Sequence, residues 1–264
     1  MAVPLAPGGA GLAVDTVLSV RRLGKTYRSR AGARPVPALD GVSFSVAGGE
    51  FVCLLGPSGC GKSTVLNILA GLDRAFTGEA GLGPGVRIGV VFQSPRLLPW
   101  LTVRQNLLFA LETSAVPRAE WEVRADDWLQ RVGLGPFAHV HPHELSGGMQ
   151  HRAAVARAFA VDPDLLLMDE PFTGLDEFTA RAMRRELLQL WRETRRSVLF
   201  VTHNCFEACY LADRILVMSA GPGRIRDEIV VDLPRPRDDE SPELFERSVA
   251  VTRTVLAAAS PRAV

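Results

Sequence analysis

Nine residues, Gly56-Pro57-Ser58-Gly59-Cys60-Gly61-Lys62-Ser63-Thr64, constrain this chain more than any other stretch. They fit G-x-x-x-x-G-K-[ST] and lie between an apolar run, residues 51–55, and an amphipathic segment, residues 65–72. A phosphate chain needs several convergent N–H donors, and side chains would hold the backbone away from it. Gly56, Gly59 and Gly61 remove those side chains, and glycine accepts the positive φ that such an anion nest requires. A helix starting near Lys62 turns its positive dipole end and its first amides toward the same anion. Lys62 can then neutralise the outer phosphates, and the Ser63 hydroxyl can ligate Mg²⁺. Only Lys25 and Lys62 are lysines, so a chance match to a motif that demands lysine is rare. The stretch reads as a nucleotide-binding P-loop.

Bulk properties narrow the surroundings. With 264 residues, 47% hydrophobic and 22% charged, the chain can bury a substantial core. A net charge of +1 leaves no electrostatic footprint for nucleic acid. No uncharged apolar stretch reaches the roughly 18 residues a spanning helix needs. Residues 1–13 carry Pro4, Pro7, Gly8 and Gly9 without a basic leader, and read as a flexible tail. Cys53, Cys60, Cys205 and Cys209 suggest no disulfide framework. Metal binding by Cys205, Cys209 and His203, or by His139, His141 and His143, is the weaker alternative to ordinary packing, and Cys60 could sense oxidation beside phosphates.

Periodicity places strands at residues 16–23, 42–46, 51–55, 86–92, 165–168, 197–201, 214–218 and 224–231. Helices are expected over 102–111, 119–132, 146–161, 176–195, 206–212 and 243–259, with Thr102 capping the first and Ser146 the third. Residues 28–34 read as a polar loop, 71–85 as turn-rich, and 237–240 as a charged link. Tyr27 closes a strand, either packing or offering a platform for adenine. Residues 94–100 form an apolar, proline-punctuated loop whose leucines and Trp100 are either a plug or a partner's anchor. Gly147 and Gly148 after Ser146 expose a second helix start to an anion. Asp169 and Glu170 finish an all-apolar strand, where α/β ligands bind, and suit Mg²⁺ binding and activation of water. His203, also at a strand end, can reach a γ-phosphate or cap the next helix. Strand–helix alternation indicates a mostly parallel sheet flanked by helices.

Taken in order, these stretches resemble the ATP-binding subunit of an ABC transporter over residues 14–232. Residues 56–64 look like the Walker A, Gln93 the Q-loop glutamine, and Leu145-Ser146-Gly147-Gly148-Met149-Gln150 the signature. Residues 165–170 look like the Walker B, Leu175-Asp176 the D-loop, His203 the switch histidine and Tyr27 the adenine-stacking aromatic. Val91-Phe92-Gln93-Ser94-Pro95-Arg96-Leu97-Leu98-Pro99-Trp100 is similar to the nitrate/sulfonate/taurine importers. Three departures stand out: His151 where a second glutamine is usual, Asn204 where an aspartate is usual, and a short 71–86 stretch.

The resemblance implies an α/β P-loop fold with a RecA-like parallel core, a helical signature subdomain over about 94–160, and an antiparallel β-subdomain partly trimmed. A linker and helix follow over 233–264. It implies ATP and Mg²⁺ as ligands. Tyr27 would take adenine, and Gly56, Pro57, Ser58, Gly59, Cys60, Gly61, Lys62, Ser63 and Thr64 the phosphates. Ser63, Gln93 and Asp169 would surround the metal, with Glu170, His203 and Lys62 catalytic. Ser146, Gly147, Gly148 and Asp176 would contact nucleotide in a head-to-tail pair of chains. A membrane permease would dock between Gln93 and Trp100 on the cytoplasmic face, served by a solute-binding receptor, with no nucleic acid involved. An importer for another solute, such as a pyrimidine precursor, or an exporter is the alternative. A soluble non-transport ATPase would carry a coiled-coil insertion or a second cassette, and neither is in this sequence.

Overall fold

The computed structural model describes residues 15–28 and 35–259. The expected tail, nearly all of the polar loop at 28–34 and the last five residues lie outside them. The chain divides into two compact units: Arg87–Arg196, and the segments on either side, which end at Val86 and resume at Ser197.

The flanking unit holds the P-loop. Its antiparallel sheet has strand order β2-β1-β4, made of β1 (Thr16–Tyr27), β2 (Val36–Ala47) and β4 (Thr77–Leu82). Alternation buries Leu18, Val20 and Leu23 on β1 and Val42, Phe44 and Val46 on β2. Strand β4 lies inside the segment read as turn-rich, so the shortened subdomain keeps three strands in this sheet. Its glycines hid it: Gly78 has φ +85, and a Cβ there would lie 2.3 Å from the Arg22 carbonyl oxygen. Only glycine fits a ladder that close.

The P-loop's own strand is β3 (Phe51–Leu55), flanked in parallel by β7 (Ser197–Thr202) and β8 (Arg214–Met218). All five β3 residues are fully buried, as a strand covered on both faces must be. Strand β9 (Ile225–Val230) returns antiparallel along β8. Helices α1 (Lys62–Leu69), α6 (Cys205–Leu211) and α7 (Pro242–Ala259) complete this unit. Helix α7 turns Leu244, Ser248 and Val251, at helical spacing, toward its packed side.

Within the charged link at 237–240, Asp238 and Glu240 are exposed but Arg237 is anchored. Arg237 is buried, and its Nη1 donates to the carbonyls of Cys209, Tyr210 and Ala212 at the end of α6. Its other nitrogens reach the Leu233 and Val231 carbonyls. A cation among the last carbonyls of a helix also faces the negative end of its dipole.

The other unit contains the parallel pair β5 (Ile88–Val91) and β6 (Leu165–Asp169). Helices α2 (Val103–Leu111), α3 (Trp121–Arg131) and α4 (Gly147–Ala160) pack on one another, and α5 (Glu177–Thr194) follows β6. Trp128 of α3 stacks on Phe159 of α4 with centroids 4.9 Å apart. Thr102 caps α2 in a full capping box with Gln105, and Ser146 caps α4, as the sequence indicates. Among the described residues no helix is long and apolar enough to cross a membrane.

Candidate nucleotide site

In the flanking unit the P-loop leaves the buried end of β3 and turns into α1. Gly59 and Gly61 take φ +77 and +103, the left-handed values expected of an anion nest. At Gly61 a Cβ would also meet Leu39 Cδ2 at 2.6 Å and the Ala38 carbonyl at 2.8 Å, so close approach as well as φ demands glycine. Ser58, Gly59 and Ser63 are exposed, whereas Cys60 is fully buried, which removes the oxidation-sensor reading of that thiol. Buried Lys62 donates through Nζ to the carbonyls of Gly56 and Pro57, at 2.9 and 3.0 Å. Helix α1 starts with no side-chain cap and no acidic residue in its first turn, whereas α2, α4, α5 and α6 are all side-chain capped. Glycine nest, buried ammonium and an uncapped helix start fit a phosphate chain.

Tyr27 ends β1 beside this helix. Its hydroxyl lies 3.3 Å from Thr64 Oγ1, and the Lys25 ammonium sits 4.8 Å from its ring centroid. Lys25 is itself pinned by Asp73 Oδ1 at 2.7 Å and the Ala75 carbonyl at 2.6 Å. The ring is held in place yet 43% exposed, which is the disposition of a stacking platform. His203 follows β7 and is exposed. It is not the helix cap: Asn204 Oδ1 accepts from the Phe206 and Glu207 amides at the start of α6. Asparagine keeps the acceptor an aspartate would supply, so that departure costs the cap nothing in kind.

The other unit places Asp169 and Glu170 at the end of β6, both half-buried. Glu170 takes φ 44, a strained value for a side chain-bearing residue. Its Oε2 accepts from Thr173 Oγ1 at 3.1 Å, and its carbonyl from the Thr173 amide at 3.1 Å. Asp176 is engaged as the N-cap of α5, accepting from the Thr179 amide at 3.0 Å and hydroxyl at 2.6 Å. The hydroxyl and amide bonds of Thr179 hold its carboxyl below the usual range. Ser146 Oγ accepts from the Met149 amide at 3.3 Å. A Cβ on Gly148 would lie 2.7 Å from Thr179 Cγ2, so that glycine lets α4 and α5 begin side by side.

Residues 93–101 are fastened by three side chains, of which the sequence singles out only His151. Asn106, 1% exposed, has its Oδ1 accepting from the Leu98 amide, and its Nδ2 donates to the carbonyls of Leu98, Leu101 and Thr102. Arg157 donates to the carbonyls of Pro95 and Arg96, and His151 approaches that of Gln93. Leu97 and Leu98 are half-buried while Trp100 is 71% exposed. The loop is therefore a stiff mount with an outward tryptophan. An amide on the apolar side of an expected helix was the readable sign for Asn106. Of the histidines at 139–143, His141 and His143 stack at 5.8 Å, and Glu144 Oε2 accepts from the His141 amide.

A glycine nest on a buried parallel strand, feeding an uncapped helix over a buried lysine, defines a P-loop nucleotide-binding α/β protein. Comparison with known proteins is more specific. The family described as ABC transporter matches residues 39–173. An uncharacterised ABC transporter ATP-binding protein of Methanocaldococcus jannaschii is 44% identical, with 87% of each chain covered. An aliphatic sulfonates import ATP-binding protein (SsuB 2) of Burkholderia cenocepacia is 44% identical over 89% of this chain and 85% of its own. Among solved structures, the dimeric ATP-binding cassette MJ0796, in a post-hydrolysis state with ADP and Pi, matches at TM-score 0.70 and 33% identity. That match covers 82% of this chain and all of the cassette. This chain belongs to the ABC transporter family, as an ATP-binding subunit that hydrolyses ATP.

Proposed function

We propose that this subunit powers uptake of a small anionic solute of the nitrate/sulfonate/taurine type, working as a head-to-tail pair on the cytoplasmic face of a membrane permease. The loop at 93–101 is the observation that carries the permease reading. Trp100 stands 71% exposed on a backbone held by Asn106, His151 and Arg157. An exposed tryptophan on a preorganised mount is the composition of an interface anchor, because little ordering entropy remains to be lost on docking. The aliphatic sulfonate import relatives favour the solute class.

Within the pair, Tyr27 stacks adenine and Lys62 with the nest of residues 56–64 holds the phosphates. Ser63, Gln93 and Asp169 supply hydroxyl, amide and carboxylate oxygens, a hard donor set suited to Mg²⁺. Held by these three residues, Mg²⁺ would supply positive charge against the phosphate oxygens. Glu170, oriented by Thr173, takes a proton from the attacking water, and His203 contacts the γ-phosphate. Ser146, Gly147 and Gly148 offer their helix start to the nucleotide of the second copy. In this scheme Asp176 acts from its cap position, setting the start of α5.

The test is reconstitution of the subunit in proteoliposomes with a cognate permease and solute receptor. ATP-driven accumulation of an alkanesulfonate, taurine or nitrate is expected. Intact ATP hydrolysis with no stimulation by any of these anions would overturn the solute class, and efflux would overturn the direction.

A further inference from the structure

His151 stands where the family usually carries a glutamine, and it is only 7% exposed. It lies one helical turn into α4. Its Nδ1 is 2.9 Å from the Gly147 carbonyl oxygen and its Nε2 is 3.3 Å from that of Gln93. Further along the same helix, Arg157 Nη2 donates to the Pro95 carbonyl and Nη1 to that of Arg96, both at 2.8 Å. Gln150 Nε2 meanwhile donates to the carbonyls of Pro142 and Leu145, fixing the lead into α4. The two attachments to residues 93–96 are about 9 Å apart along the helix axis. One attachment would be a hinge; two so spaced resist rotation. Both grip main-chain carbonyls, so they hold the backbone without occupying the Gln93 side chain.

We propose that His151 and Arg157 are a positioning pair that makes the backbone of residues 93–96 and the start of α4 move as one body. A displacement of Gln93, the residue read above as meeting the metal, is then delivered to the amides of Gly147 and Gly148. In the paired arrangement those amides serve the second nucleotide, so the pair carries cooperativity between the two sites. This inference rests on the proposed roles of Gln93 and the signature segment. Neither His151 nor Arg157 touches nucleotide in it, and both act through the backbone they hold.

The experiment compares His151→Leu, His151→Gln and Arg157→Met in the full chain. Leucine fills the space without a donor; the glutamine amide nitrogen carries two protons and can serve both carbonyls. Nucleotide affinity, kcat, the Hill coefficient for ATP and amide exchange across residues 93–97 are measured. His151→Leu is expected to keep ATP affinity within about twofold while lowering kcat about tenfold, the scale of a typical coupling between sites. Its Hill coefficient should fall toward one and exchange at 93–97 should rise, with His151→Gln restoring all three. Should the leucine variant not fold, Arg157→Met carries the same expectations. An unchanged Hill coefficient, or affinity and kcat falling together with no change in exchange, would overturn the pairing. Wild-type protein that binds no ATP would instead sink the reading on which it stands.

Discussion

The Tyr27 hydroxyl lies 3.3 Å from Thr64 Oγ1, tying the end of β1 to the first turn of the P-loop helix. The aromatic ring is thereby fixed relative to the phosphate nest although 37 residues separate the two in sequence. Lys25 covers one part of that ring and leaves 43% of the residue exposed. Replacing Tyr27 by alanine is expected to weaken ATP binding by about 1–3 kcal/mol, the usual worth of one base–aromatic stack. Phenylalanine should keep most of the affinity, because the ring does the stacking and the hydroxyl only aims it. Titration with a fluorescent ATP analogue checks both, and equal losses in the two variants would count against stacking.

Glu170 ends β6 with its Oε2 held by the Thr173 hydroxyl at 3.1 Å. Glutamine at this position preserves size but cannot accept a proton from water. Glu170→Gln is expected to leave ATP affinity intact and to lower turnover by about two to four orders of magnitude, the range for loss of a general base. Thr173→Ala should lower turnover far less, since it frees the carboxylate without removing it. Phosphate-release kinetics on the purified subunit decide this, and near-normal turnover in Glu170→Gln would remove Glu170 from the chemistry.

Much of this was readable in the residues before any coordinates. The apolar run at Phe51 to Leu55 becomes the buried central strand because a parallel strand covered on both faces needs no alternation. The caps at Thr102 and Ser146 follow from side-chain oxygens placed for amides three residues on. Strand β4 was hidden because Gly78 and Gly81 carry no β signal, and the close approach that requires Gly78 is a tertiary fact. The anchoring of Arg237 was hidden for a related reason. A charge between prolines and aspartates looks solvated unless it is known that the end of α6 waits above it with its carbonyls unmet. Motif residues were legible and their mounts were not: Asn106, Thr173 and Arg157 obey no local spacing rule.

Arg237 therefore has a direct test. Its guanidinium serves five carbonyl groups, those of Cys209, Tyr210, Ala212, Val231 and Leu233. Arg237→Met leaves buried acceptors unmet and is expected to lower stability by about 3 kcal/mol, with the cost of orphaned acceptors exceeding the gain in apolar contact. Lysine should not rescue it, because a compact ammonium cannot span the fork. Urea unfolding measures the loss, and a loss within about 0.5 kcal/mol, the size of a neutral surface change, would return Arg237 to the class of solvated charges.

At the other unit's sheet, Arg87 clamps Asp164 at the entrance to the β5–β6 pair, Nε to Oδ2 at 2.9 Å and Nη2 to Oδ1 at 3.1 Å. The Arg87 amide adds a third bond to Oδ2 at 2.9 Å. These hydrogen bonds to Arg87 outweigh burial and hold the Asp164 carboxyl below the usual range, with Arg196 adding to the effect. A carboxyl whose folded pKa is depressed adds stability that is fully present above its unfolded pKa, near 4, and disappears as pH falls through the folded value. The groups are about a third exposed, so solvent screening limits the contribution to about 1 kcal/mol. Asp164→Asn should accordingly melt about 2–4 °C below wild type at pH 7, and the gap should close as pH falls below about 4 and the wild-type carboxyl takes up its proton. Thermal unfolding across that range checks the sign. A gap that stays constant with pH would assign the loss to packing and not to charge.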